Sequence, residues 1–424
     1  MNESLRRVVN NFSWLLFEKV LKMAVGLVIT IQITRQLGVE TFGTYSYIIA
    51  LAAIFAPLAS VGLETVTIRE LIKRPERAHS ILGSALMVRL FGGILVLIFA
   101  SLISWFWVKN GRELVGLILL VASSYFFQAF DVIDYYFQSQ QKMKRSVVAR
   151  MSAFLLVNAL KFVALLHHAH YQVFIFLFQL EFIFCLIFYV LNYGKEVRQW
   201  KVDLSVVKSL LKDSWPALII GLSISVQGYF DQIILGSKIG VSELSQYTVA
   251  MTIVSALNFA PMIVYMATSP EIIKAREMST DLYHEKLKKV YRSMFILFIL
   301  MALPLMLFSN QIIHLLYGDA YEKAGVFLAL FSLRLLFVNI GTAKQAYVVA
   351  ENLYKFQMFS ALIGAFLNVC LNFLLIPRFA SIGAFISIIV SYLFSVFLND
   401  FFNERMRLNL NLIFSSIWPL KSKR

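Results

Sequence analysis

The chain has 424 residues, of which 59% are hydrophobic and 15% charged, against about 25% charged in an average soluble protein, and its formal net charge is +15. Long apolar runs separated by short basic stretches exclude a soluble multidomain enzyme and point to stacked membrane helices. The only cysteines, Cys185 and Cys370, lie inside apolar runs, which excludes a disulfide scaffold and a structural zinc site. No aromatic-basic motif supports a nucleic-acid partner, so the basic excess is read as an orientation signal.

In hydrocarbon every backbone amide must be satisfied within its own segment, so apolar runs of about twenty residues predict helices. Twelve such runs follow in chain order: Phe12–Ile33, Tyr45–Leu63, Ile81–Val108, Leu114–Phe137, Ser146–Leu166, Tyr171–Tyr193, Ser214–Leu235, Ser242–Met266, Val290–Leu316, Ala324–Thr342, Phe356–Ile376 and Ser381–Phe401. The first contains Glu18, Lys19 and Lys22 and precedes no small-residue cleavage site, so it is expected to be a retained helix. With Met1 on the cytoplasmic side, the inside segments hold 28 of the 39 Lys and Arg residues and the outside connections 6. That bias predicts an all-α, multi-pass protein with both termini cytoplasmic.

Leu37-Gly38-Val39-Glu40-Thr41-Phe42-Gly43-Thr44-Tyr45 is echoed by Ile239-Gly240-Val241-Ser242-Glu243-Leu244-Ser245-Gln246-Tyr247 at an offset of 202, and Phe55-Ala56-Pro57 by Phe259-Ala260-Pro261 at 204. Two copies of a six-helix unit are expected, related by a pseudo-two-fold along the membrane normal because six is even. Residues 1–193 form the first lobe and 214–402 the second, joined by the basic cytoplasmic linker 194–213 and followed by a basic tail, 403–424. Such a duplication is suited to alternating access through a central cavity.

An ionisable group inside a span costs about 2.5–3.5 kcal/mol by insertion scales, so it is expected to face protein or water. Glu18 and Lys22 are one turn apart and can neutralise each other. Arg89 is eight residues inside its span, about 12 Å along a helix and beyond easy snorkelling, and Lys161 and Arg334 are comparably deep. Together with Lys19 and Lys22 these three are the candidate anion-binding residues of a cationic cavity; pairing with Glu181 or with a backbone carbonyl is the structural alternative. Asp131 and Asp134 are read as a solvated mouth or as partners for these cations. Asp231 is a candidate proton or cation site, and Asn368 and Asn372, at i and i+4, share one face of the eleventh span. His167, His168 and His170 form a polar turn without an acidic neighbour, and no phosphate loop, nucleophile elbow or other enzyme signature is present.

The turn at Leu37–Tyr45, the run Asp231-Gln232-Ile233-Ile234-Leu235-Gly236, and Asn368-Val369-Cys370-Leu371-Asn372-Phe373-Leu374-Leu375-Ile376-Pro377 with Ile382-Gly383-Ala384 resemble motifs of polysaccharide flippases in the multidrug/oligosaccharidyl-lipid/polysaccharide exporter superfamily. The resemblance implies a non-enzymatic flippase of the bacterial inner membrane. It would carry undecaprenyl-diphosphate-linked repeat units of O-antigen or capsule type among membrane lipids and other glycan-assembly proteins. By likeness to lipid II flippases, Asp231, Asn368 and Asn372 match three places of a sodium site, the third holding Asn in place of Asp, so sodium or proton coupling is implied and no organic cofactor. A multidrug/toxin cation antiporter of the same superfamily is the alternative, which the buried cations argue against; a membrane glycan polymerase or transferase is the second.

Overall fold

The computed structural model describes residues 3–108, 112–194 and 199–417. Three pieces of the expected connections lie outside them: 109–111 of an outer turn, 195–198 of the basic linker and 418–424 of the tail. The described chain is helical throughout: α1 (Glu3–Ala53), α2 (Ala56–Ser60), α3 (Leu63–Lys73), α4 (Ala78–Trp107), α5 (Arg112–Phe127), α6 (Val132–Ser139), α7 (Met143–Leu166), α8 (Tyr171–Tyr193), α9 (Leu204–Ile234), α10 (Val241–Ala256), α11 (Phe259–Met278), α12 (Thr280–Leu307), α13 (Ser309–Tyr317), α14 (Glu322–Ser332), α15 (Arg334–Ala350), α16 (Tyr354–Val396) and α17 (Glu404–Ile417).

Among the described residues, nine helical stretches are long and apolar enough to cross a membrane, and ten if the pair Ser13–Ala53 and Ala56–Lys73, bent by 40°, is one more. Large apolar side chains such as Trp105, Leu191, Phe366 and Leu300 stand fully outside the packed interior, which suits a hydrocarbon solvent. At 1.5 Å per residue α1 and α16 are about 75 and 65 Å long, more than twice the roughly 30 Å hydrocarbon core. Each is interrupted once, α1 at Gly38 (φ 71°, ψ 176°) and α16 at Ala380 (φ 48°, ψ −130°).

Several spans are less regular than their hydropathy suggests. The expected second span breaks at Ile54–Phe55, because Pro57 opens α2 and cannot donate to the preceding turn. The eighth breaks at Leu257–Asn258, directly before the matching Phe259-Ala260-Pro261. The fourth is interrupted by a 3₁₀ segment at Gln128–Asp131. The tenth does not end at Thr342 but continues to Ala350, which puts Lys344, expected in a connection, inside α15. In the tail, where an apolar patch from Ile413 to Leu420 is expected at the membrane interface and 418–420 lie outside the described residues, Glu404–Ile417 form α17, whose Met406, Leu412 and Ile413 are buried in one cluster with Tyr291, Ile340 and Tyr347.

The chain divides into two compact units, residues 1–242 and 243–424. The first is built around Leu63, Leu82, Ile133, Tyr189 and Leu210 from α3, α4, α6, α8 and α9. Within it the start of the second span lies against the turn after α9: a Cβ on Gly43 would meet the Val241 carbonyl oxygen at 1.9 Å, so no larger residue fits there. The second unit is organised about Tyr283, Leu287, Tyr291, Ala343 and Tyr347 of α12 and α15.

Candidate functional site

In the first unit the polar residues collect on the inner faces of α1, α4, α6 and α7. Glu18 and Lys22 are paired at 3.2 Å, as their spacing suggests. The stronger partner is Arg150, whose Nε and Nη2 donate to the two Glu18 oxygens at 2.7 and 2.6 Å while Nη1 donates to Asp134 at 2.5 Å. Ser146 and Gln138 complete the shell of Asp134. Two carboxylates and two cations thus form a neutral network whose fork-to-carboxylate geometry fixes α1, α6 and α7 against one another. The charge count takes Arg150 only as one of the 28 inside cations; the signal that points to its site is Ser146, four residues earlier on the same helix face.

Arg89 does not face open space. It is 1% exposed, its Nη2 donates to the Gln128 carbonyl at 2.7 Å, its Nη1 donates to the Tyr135 hydroxyl, and Asp131 lies at 3.5 Å. The first bond is made at the 3₁₀ segment, where the Gln128 carbonyl comes within reach of the guanidinium. The backbone-carbonyl alternative therefore describes Arg89, and Asp131 and Asp134 act as partners for cations. Lys161 differs. It is half-buried, Glu181 on α8 acts on it electrostatically, and among the described residues no carboxylate lies within 4 Å of it. Lys19 is exposed, and Lys22 sits over the Phe154 ring at 5.6 Å.

In the second unit Arg334, 9% exposed, donates to the Tyr392 hydroxyl at 3.1 Å, stacks over that ring at 5.5 Å and approaches the Met251 sulfur at 3.9 Å. A buried ion pair that the sequence reading missed joins Lys344 to Asp400 at 2.6 Å, with Lys344 also donating to the Val396 carbonyl at 3.0 Å. Asp400 interrupts the apolar run Phe397-Leu398-Asn399-Asp400-Phe401-Phe402, and that interruption was the available signal. Asn368 and Asn372 are both fully buried; the Asn372 amide donates to the Asn368 oxygen at 3.0 Å, leaving Asn368 Nδ2 and Asn372 Oδ1 without a partner. Asp231, also fully buried, accepts from the Gln232 backbone at 2.7 Å and belongs to the first unit, whereas the Asn pair belongs to the second. The described His, Cys, Asp and Glu residues form no cluster of three able to hold a metal ion, and His167, His168 and His170 are exposed.

Residues 8–274 match the family model of polysaccharide biosynthesis proteins. The chain belongs to that family. It is 22% identical over 407 residues to the capsular polysaccharide biosynthesis protein CapF of Staphylococcus aureus, an alignment that covers 94% of this chain and all of CapF. Among solved structures it resembles a multidrug resistance MATE family transporter of the MOP superfamily in its inward-facing conformation, with a TM-score of 0.73 at 14% identity over 93% of this chain and 95% of that one. It also resembles the lipid II flippase MurJ in an inward closed conformation, with a TM-score of 0.66 at 13% identity over 96% and 89%. The protein is therefore a multi-pass membrane protein of polysaccharide biosynthesis with a transporter fold.

Proposed function

We propose that the protein is a flippase moving undecaprenyl-diphosphate-linked oligosaccharide repeat units, of O-antigen or capsule type, across the bacterial inner membrane. Membership of the polysaccharide biosynthesis family carries this reading, and the full-length alignment with CapF supports it. If α1 and α16 each reverse at their single interruption, Gly38 and Ala380, the chain has twelve spans, six in each of the segments 1–193 and 214–402.

The charged side chains divide into two roles on this reading. Arg89, Arg150 and Lys344 are held by internal partners and set the packing of their helices. Lys161, with no carboxylate within 4 Å, is the cation best placed to meet a diphosphate, with Arg334, Lys22 and Lys19 after it. Asp231 supplies the coupling carboxylate, by its own protonation or as a ligand of sodium.

Deletion of the gene followed by sidedness analysis of the accumulated glycolipid tests the reading. Single repeat units should build up on the cytoplasmic face. Accumulation outside would mark a polymerase or transferase instead. The likeness to a MATE transporter favours cation export as a second reading; efflux of cationic dyes by the purified protein in vesicles, with normal glycan export in the deletion strain, would establish it in place of the first.

A further inference from the structure

At one end of the second unit, on the side that the charge bias assigns to the cytoplasm, α11, α12, α15 and α17 enclose an open cleft of about 260 Å³. Its floor is Tyr283 and Tyr347, whose rings lie nearly parallel with centroids 6.2 Å apart. Its rim is cationic. Arg276 stacks over Tyr283 and donates its Nε to Glu351 at 2.7 Å, and among the described residues its two terminal nitrogens have no hydrogen-bond partner. Arg405 lines the opposite side, is exposed, and has no carboxylate within 4 Å among the described residues. His284 and the Thr280 hydroxyl complete the wall.

Two further features make this more than a solvated basic face. Arg405 stands in the first turn of α17, where the helix dipole disfavours a cation, and is held there because Tyr347 donates its hydroxyl to the Arg405 carbonyl at 2.7 Å. Glu404 in the same turn and the Asn403 side chain, which accepts from the Arg405 and Met406 amides at 3.1 and 3.2 Å, support this helix start, and an anion in the cleft would pair with the Arg405 guanidinium. Independently, Tyr283 is 1% exposed and lines the cleft, and among the described residues its hydroxyl makes no well-aligned hydrogen bond, with the Glu351 carboxylate as its charged neighbour. A buried hydroxyl without a good acceptor is costly, and an acceptor oxygen entering the cleft would remove that cost.

We propose that this cleft binds a phosphate or diphosphate group. Arg276 and Arg405 grip it from two sides through charge-assisted N–H bonds, Tyr283 and Thr280 donate hydroxyls, and Glu351 holds Arg276 in place without entering the contact. The volume suits a compact anion accompanied by water, since each water occupies about 30 Å³. The group can arrive on a lipid headgroup or free in solution, and the chemistry of the cleft is the same for both. The site rests on the second unit's own residues and does not depend on the transported substrate.

The test uses the full chain in neutral detergent, titrated calorimetrically with inorganic diphosphate. A second arm places it in phosphatidylcholine nanodiscs with and without dioleoyl phosphatidate, with bound lipid read by native mass spectrometry. The expected result is saturable binding of at least one probe that weakens about tenfold in Arg405→Ala, further in Arg405→Glu and severalfold in Tyr283→Phe, with the unfolding temperature of the exposed Arg405 variants unchanged. Binding of diphosphate alone assigns a soluble source; binding of phosphatidate, or its displacement of diphosphate, assigns a headgroup. No saturable binding of either probe, or equal binding in the wild type and both Arg405 variants, overturns the proposal.

Discussion

A charge inside an apolar protein is tolerated according to what touches it, and Arg150 and Lys161, on the same helix, are opposite cases. Arg150 satisfies two carboxylates from α1 and α6. Removing it in Arg150→Ala leaves Glu18 and Asp134 facing each other with Lys22 alone to compensate, so the variant should lose about 3–5 kcal/mol of stability and most of its membrane level. Arg150→Lys should recover only part, because an ammonium cannot hold both carboxylates in fork geometry. Lys161→Ala breaks no ion pair and should change stability by less than about 1 kcal/mol, yet under the flippase reading it should depress glycan export. Thermal unfolding in detergent separates the two outcomes from an export assay. The pair Glu18–Lys22 could be read from sequence because i,i+4 spacing is a local rule. The third member could not, since Arg150 lies 132 positions from Glu18 and nothing local says which helix faces which. Arg89 was legible as a deep charge, but its partner, the Gln128 carbonyl at a 3₁₀ turn, is set by where the helix changes its winding.

At the scale of elements, what hydropathy could not show was where helices break. An apolar run reads the same whether it is one helix or two, and the interruptions at Gly38 and Ala380 are set by single backbone conformations. Ala380 occupies a region of φ/ψ space that an L residue enters at a cost of about 1–3 kcal/mol. Ala380→Gly should therefore raise stability by about 1 kcal/mol, seen as an unfolding temperature a few degrees higher. Gly383→Ala, three residues on, should do the reverse, because its Cβ would meet the Leu375 carbonyl oxygen at 2.4 Å. The start of α9 offers a pH test. Asp203 caps it, accepting from the Ser205 amide at 2.8 Å and the Ser205 hydroxyl at 2.6 Å, and these bonds hold its carboxyl below the usual range. A depressed folded pKa contributes stability that is present above the ordinary carboxylate value and is lost as the pH falls through the folded one. Fraying of the first α9 turn should thus begin only below about pH 4, and Asp203→Asn should show it less steeply, both by amide exchange at residues 205–207.

For the whole molecule, two short echoes in the sequence predict a duplication, and the structure breaks a helix beside each Phe-Ala-Pro, at Ile54–Phe55 and at Leu257–Asn258. Hydropathy alone does not say whether the long helices α1 and α16 cross once or twice, because no membrane normal can be read from composition. The basic residues supply the missing information. Arg69, Lys73, Arg74 and Arg77 follow α1, and Arg405 and Arg407 follow α16. If α1 crosses twice from a cytoplasmic Met1, the first group is inside; if it crosses once, four cations are stranded outside against the positive-inside rule. The same reasoning applies to α16 from the turn at Asn352. With Cys185 and Cys370 replaced by Ser, single cysteines at Glu76, Lys355 and Asn403 should be labelled by a membrane-impermeant maleimide only from the cytoplasmic side, and cysteines at Thr41 and His168 only from outside. Labelling of Glu76→Cys from outside would show that α1 makes one crossing, and labelling of Asn403→Cys from outside the same for α16; either result removes the twelve-span, two-lobe arrangement.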